Sequence, residues 1–357
     1  MGSVILLSGS RKLYYINRMK SLPKSSLFSF LRIFIFLFAL LVPSIVISQT
    51  LESEKSAPKN AKPQLIAKLP PAINETSGLV FFNGTLWTIN DSGNPAEIYQ
   101  LDTVTGAILR TVTVRNAVNT DWEAITHDDS NMYIGDFGNN FGNRTDLKIL
   151  KIPKADFLNT ANDTVEAGYI HYSYQDQTSR ERELNNNNFD CEAFFYYNDS
   201  LYLFTKNWLD LETKCYIVPS DTGTYTIAPA CRFNAGGLIT DASVNAKGNI
   251  ILLGYKNIKG QKWECFCWLF RMSGSGICFD GNKIQIELGS AWHLGQTEGI
   301  FLTDNNTAWL SSESIVAGKL FRPAKLFKVS FNSFYLILRT FVTGNIHANP
   351  GNSHSGK

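Results

Sequence analysis

Carboxylates recur in this sequence at a spacing that could gather them at one place. Glu123 lies in TDWEAITHDDSNMYIGDFGNN, Glu192 in DCEAFF and Glu298 in TEGIFL; each precedes a small residue and an apolar run. A second apolar run follows about ten residues later and carries Tyr133, Tyr202 or Trp309. Two more stretches repeat this grammar with Ser77 and Asp241 at the anchor, making five copies between about 46 and 70 residues apart. Two positions before the anchors stand Glu75, Asp121, Asp190, Ile239 and Gln296. Residues i and i+2 of a strand project to the same face, so every copy but the fourth offers a pair of polar side chains there. Asp91, Asp136, Lys206 and Glu313 close the second runs.

Such a set of carboxylates has three chemical uses and one structural one. It can hold a hard divalent cation such as calcium through several oxygens. It can take a cationic ligand, or keep carboxyls protonated for general acid work, because like charges at short range raise each other's pKa. It can also serve only as a clasp, each carboxylate accepting backbone or indole N–H groups from its neighbour. His293, just ahead of Glu298, is the one weak candidate for a catalytic base. No G-x-S-x-G elbow, phosphate-binding glycine loop, EF-hand spacing or zinc-ligand spacing is present, which leaves the serine hydrolase, nucleotide, EF-hand and zinc classes with little support.

The elements that must position these residues are strands. The first copy divides into 77–82, 86–90, 98–102 and 108–114, separated by Asn83-Gly84, by the turn around Gly93 and by Thr105-Gly106. Asn-Gly between alternating apolar runs is a strong hairpin signal. The other copies place strands at 147–152 and 169–174, at 215–218 and 225–228, at 265–270 and 284–288, and at 325–331. No mature stretch sustains a helical period, so the chain reads as all-β. Four-stranded antiparallel units repeated at this period predict a β-propeller, with five blades counted and six as the alternative if 123–192 hides a degenerate copy. The fifth copy lacks a clear fourth strand; 64–69, outside the repeats, is expected to close the ring, with 334–342 as its rival.

At 357 residues, 44% hydrophobic and net charge +2, the composition is that of a globular protein with no basic footprint for nucleic acid. Residues 1–48 read as a leader with a signal peptide: Lys20, Lys24 and Arg32 precede the apolar run 33–42, and cleavage is expected before Gln49. Met19 is a second possible start. The apolar run is short for a spanning helix, so no stable membrane insertion is expected after cleavage, and the localisation predicted is secreted or periplasmic. Residues 49–62 read as a flexible linker, 63–345 as the propeller and 346–357 as a disordered tail. The six cysteines, all between 191 and 278, read mainly as small buried hydrophobes, with room for one bridge in an oxidising compartment.

The stretch ETSGLVFFNGTLWTINDSG with EIYQLDTVTG and AILRTVTV resembles the blades of secreted SdiA-regulated-like and NHL-type propellers. It is also similar to the opening of the gluconolactonase and paraoxonase group. The latter resemblance implies calcium in a central channel and lactone or ester hydrolysis, although that group has six blades where five copies are counted here.

The expectation is therefore a secreted propeller that binds a small molecule, glycan or protein on an acidic axial face, with a calcium-dependent lactonase or esterase as the alternative. The metal candidates are Glu123, Glu192, Asp121, Asp190, Glu298 and Asp136; the ligand-binding candidates are Asp91, Asp241, Glu313, Lys206 and Glu75.

Overall fold

The computed structural model describes residues 59–260, 262–272, 283–318 and 320–331. The signal peptide, the cleavage point, Cys278, the segment 334–342 and the tail lie outside the described residues.

Five antiparallel sheets make five blades. Their innermost strands are Thr76–Phe82, Trp122–His127, Cys191–Tyr197, Leu238–Val244 and Thr297–Leu302. Each packs against the next, and the fifth packs against the first, which closes the ring. The second strands, Thr85–Asn90, Asn131–Asp136, Ser200–Thr205, Asn249–Ile258 and Thr307–Ser312, run antiparallel to them. The start of each first strand and the end of each second strand therefore meet at one end of the axis. The long interval between Glu123 and Glu192 holds the outer strands of the second blade, the short helix Lys154–Leu158 and the segment 175–190, not a sixth blade.

Period-two alternation puts successive residues of a strand on opposite faces, and both faces of every blade are covered. Trp309 lies in the apolar cluster between blades five and one, and Leu310 in that between four and five. Trp87 and Leu86, and Tyr133 and Ile134, divide in the same way. The expectation that Trp87, Tyr133, Tyr202 and Trp309 form interblade core is borne out. Burying such a side chain contributes roughly 1.5–3 kcal/mol, and the five interfaces together hold the ring shut.

Closure is by the N-terminal segment. Gln64–Lys68 pairs antiparallel with Lys325–Ser330, aligning Gln64 with Lys328, and completes the fifth blade as its fourth strand. The peptide N–H of Leu69 donates to Ala324 O at 2.8 Å.

Three edges differ from the sequence expectation. Lys59–Asn60, inside the segment read as linker, adds in parallel to Ile284–Ser290. Thr164–Val165 adds in parallel to Ile108–Val114. Gly223–Ile227, expected as the outer strand of blade three, instead adds in parallel to Gly168–Tyr174 of blade two, and Pro229–Phe233 takes its place. Ile227 is buried in the apolar cluster that residues of blades two and three share, which favours this strand at the edge between them.

Candidate functional site on the propeller axis

Every innermost pair breaks register at the same point. The slips fall between Ser77 and Leu79, Trp122 and Ala124, Cys191 and Ala193, Ile239 and Asp241, and Thr297 and Gly299. A β-bulge bends the strand and re-aims the extra side chain. In blades two, three and five the residue left out of the pairing is Glu123, Glu192 or Glu298, and all three side chains are buried.

In blade four that residue is Thr240, whose hydroxyl donates to Thr297 O at 2.9 Å. Asp241, one position on, accepts from Ala242 N at 2.8 Å and from Ile300 N of blade five at 2.6 Å. Asp241, proposed from sequence as a ligand-binding residue, is thus held as a clasp between two inner strands. The sequence spacing placed it one position too late, because a bulge changes the side-chain count by one.

The end of the second strand supplies the rest of the site. Asp91 N donates to Glu75 O, Lys206 N to Asp190 O and Glu313 N to Gln296 O, so Asp91, Lys206 and Glu313 stand at matching positions in blades one, three and five. Ligand oxygens of Asp91, Asp121 and Glu123 lie within 4.8 Å of one another. Gly138, in the glycine- and asparagine-rich loop after Asp136, makes room for them. A Cβ there would stand 2.2 Å from Glu123 Oε1 and 2.5 Å from Asp121 Oδ2.

Burial is the first cause of the unusual proton affinities here. It pushes Asp121 up to about 7, with Asp91 and Asp190 adding repulsion. Glu123 is held well above the usual carboxylate range by burial, then by Glu192, Asp91 and Asp121. Glu298 reaches about 7 by burial, against the opposing pull of Lys206. Glu313 is raised by burial and then by Glu298 and Asp91, and Asp91 is raised by burial foremost. The cation in their midst is Lys206, whose Nζ lies 3.1 Å from Glu192 Oε1. Burial opposes its charge, but Glu192 foremost among its neighbours holds the ammonium well above the ordinary lysine range.

The remaining candidates are placed as follows. Asp190 accepts from Asn139 N at 2.6 Å and from Trp208 Nε1 at 2.8 Å, a clasp between blades two and three. Asp136 is fully buried with counter-ions of its own, Arg144 at 2.9 Å and Lys148 at 2.8 Å, and also accepts from Asp121 N. Glu75 is exposed and accepts from Asn94 Nδ2 at 2.6 Å. His293 stands exposed on the single-turn helix Ala291–Leu294, with its carbonyl taking Lys325 Nζ, and among the described residues no hydrogen bond or ion pair links its ring to the carboxylates. Sequence reasoning passed over Gly138, whose signal was a glycine directly after the strand-ending Asp136-Phe137.

Comparison with known proteins places the chain in no family. No family model matches, and no curated protein matches. Among solved structures the chain is similar to the PQQ-bound aldose sugar dehydrogenase of Streptomyces coelicolor, at 12% identity over 77% of this chain and 99% of that one, TM-score 0.44. It is similar to an α-L-arabinofuranosidase of Podospora anserina in complex with cellotriose, at 11% identity over 76% and 96%, TM-score 0.44. It is also similar to an exo-β-1,3-galactanase of Phanerochaete chrysosporium, at 13% identity over 75% and 64%, TM-score 0.44. These neighbours are β-propeller enzymes and give no support to the narrower likeness to the SdiA-regulated, NHL or gluconolactonase groups. At such scores they carry no inference about activity, and the five-bladed propeller rests on the strand pairing itself.

Proposed function

We propose that this chain is an exported, ligand-binding β-propeller whose axial acidic face takes a hard divalent cation, calcium being the simplest choice. The observation that carries this reading is the uneven distribution of counter-charge. Lys206 pairs with Glu192, whereas Asp91, Asp121 and Glu123 form no ion pair among the described residues and feel the charges of Lys206 and Arg144 only at longer range. Three carboxylates within 4.8 Å of one another repel when ionised, and a cation with oxygen ligands offsets that repulsion. The bare Cα of Gly138 lets the Asp121 and Glu123 carboxylates pack against it, and with Asp91 their oxygens are a donor set that fits such an ion. Asp91, Asp121 and Glu123 would hold it, with Glu192 and Glu298 behind them; the metal would act as a Lewis acid toward any carbonyl bound there. Metal analysis of the purified protein and calorimetric titration with calcium test the reading. One equivalent bound supports it, and no uptake together with a melting curve indifferent to chelator reduces the carboxylates to interblade clasps.

A calcium-dependent lactonase or esterase at the same place is the second reading. What favours it is that Asp121 and Glu298 are both pushed up to about 7, where a carboxyl can exchange a proton at neutral pH. Hydrolysis of a lactone or aryl ester that disappears with the metal would support it. A metal-loaded protein inert toward both substrate classes leaves the binding function alone.

A further inference from the structure

We infer that Asn119 is a positioning residue of the axial site: its carboxamide spans the seam between blades one and two and sets Asp91 against Asp121 and Glu123. The inference rests on the cation-binding reading above. The three carboxylates come from two separate sheets, Asp91 from just past the second strand of blade one and the other two from the start of blade two. No strand pairing therefore fixes their spacing. Asn119, 6% exposed in the connection before Trp122–His127, supplies a tie. Its Nδ2 donates to Asn90 O at 2.9 Å and to Asp91 O at 2.8 Å, and its Oδ1 accepts from Trp122 N at 3.0 Å. One side of the group thus holds the backbone of the blade-one carboxylate, and the other holds the residue that stands between the two blade-two carboxylates. A second tie across this seam, from Ser77 Oγ to Glu123 O, holds Glu123 but not Asp91.

The same sequence pattern occurs again and is used differently. Asn119-Thr120-Asp121-Trp122-Glu123 has its counterpart in Asn188-Phe189-Asp190-Cys191-Glu192. Asn188 turns to its own blade, where Oδ1 accepts from Leu209 N at 3.1 Å and Nδ2 donates to Asp210 Oδ2 at 2.7 Å. There Asp190 is engaged by Asn139 N and Trp208 Nε1, and Lys206 stands where blade one has Asp91. At the seam that Asn119 spans, no donor among the described residues reaches the Asp121 carboxylate. The bridging carboxamide therefore coincides with the carboxylates that are open to a cation. Groups that hydrogen-bond behind metal ligands orient them, and losing one typically weakens metal affinity about 10- to 100-fold. With the carboxamide removed, the hydrogen bonds left to Asp91 are those within blade one, among them Asp91 N to Glu75 O at 2.9 Å.

The test is a double-mutant cycle on calcium affinity, read by calorimetric titration of the full chain above pH 7, where Asp121 gives up its proton. Asn119→Ala should weaken calcium binding about tenfold or more. The double variant Asn119→Ala/Asp91→Asn should bind no more weakly than Asp91→Asn alone, because Asn119 acts through that carboxylate. Terbium luminescence lifetimes in light and heavy water count the water molecules on the bound ion. Asn119→Ala should admit one more than wild type, as Asp91→Asn should, whereas a merely structural role leaves that count unchanged. Unchanged calcium affinity in Asn119→Ala, or losses that multiply in the double variant, overturns the inference while the cation reading stands. No calcium uptake by wild type overturns the cation reading and this inference with it. Should Asn119→Ala fail to fold, Asn119→Ser, one atom too short to span both sides of the seam, takes its place in the cycle and the same outcomes decide.

Discussion

Asp241 in blade four accepts the peptide N–H of Ile300 in blade five at 2.6 Å, and both residues are buried on adjacent innermost strands. This carboxyl ties blade four to blade five. Asp241→Ala should cost about 1–3 kcal/mol, the penalty for a buried donor left unsatisfied, with calcium uptake unchanged. Chemical denaturation measures the first and titration the second; lost uptake with unchanged stability would return Asp241 to the ligand site.

Calcium should raise the melting temperature and chelator lower it. A ligand that binds only the folded state adds roughly 2.7 kcal/mol when free ligand is a hundredfold above Kd. Glu123→Gln and Asp121→Asn should blunt that response, since both belong to the unpaired group. Asp136→Ala should behave differently. It leaves Arg144 and Lys148 without their shared buried partner and should cost about 3–5 kcal/mol while the remaining fold still responds to calcium.

The pH dependence of the metal-free protein follows from the sign of the shifts. Asp121 and Glu298 rise from ordinary values of 3.8 and 4.5 to about 7 in the fold, so the native state binds more protons than the unfolded chain between those limits. Their contribution is fully present below about pH 4 and is lost as pH climbs through 7. Melting temperature in chelator should fall from pH 5 to pH 8, and added calcium should flatten that fall by replacing the protons. A metal-free melting temperature that rises over this interval would mean that the two carboxyls are ionised in the fold.

Removing residues 1–69 should strip the fourth strand from the last blade and leave Lys325–Ser330 as an open edge. Unpaired edges invite association, so the truncated chain should lose several kcal/mol and elute as aggregate. Size-exclusion chromatography with thermal unfolding decides this, and a monomer of unchanged stability would show that the ring closes without Gln64–Lys68.

Export is checked by intact mass. The chain recovered from outside the cytoplasm should begin at Gln49; a product that keeps residues 33–42 would be anchored by its leader.

Much of the fold is local and was legible as such. Apolar alternation marks the strands, and Asn83-Gly84 marks a hairpin whose two turn residues adopt positive φ of 49° and 78°. The recurring polar-small-apolar triplet marks where each innermost strand begins, because a bulge and a close blade contact need those residue types. At Gly78 an added Cβ would come 2.7 Å from Ile125 N of the next blade. These requirements act within a few residues or within one repeat, so the sequence by itself determined the strand-rich class, the repeating blade and the region where carboxylates gather, while five blades against six was left to the strand pairing.

Only the tertiary structure decided which partners each carboxylate has. Asp91 joins Asp121 and Glu123 from a different blade; Asp136 and Asp190, which share their residue type, are spent on Arg144, Lys148 and Trp208. Lys206 becomes the counter-ion of Glu192 because the second and first strands of blade three end side by side at the axis. Such partners are tens of residues apart, and a one-residue bulge changes which of two neighbours faces the axis. Side-chain direction at that point is set by the pairing of strands around a closed ring, which no local spacing encodes.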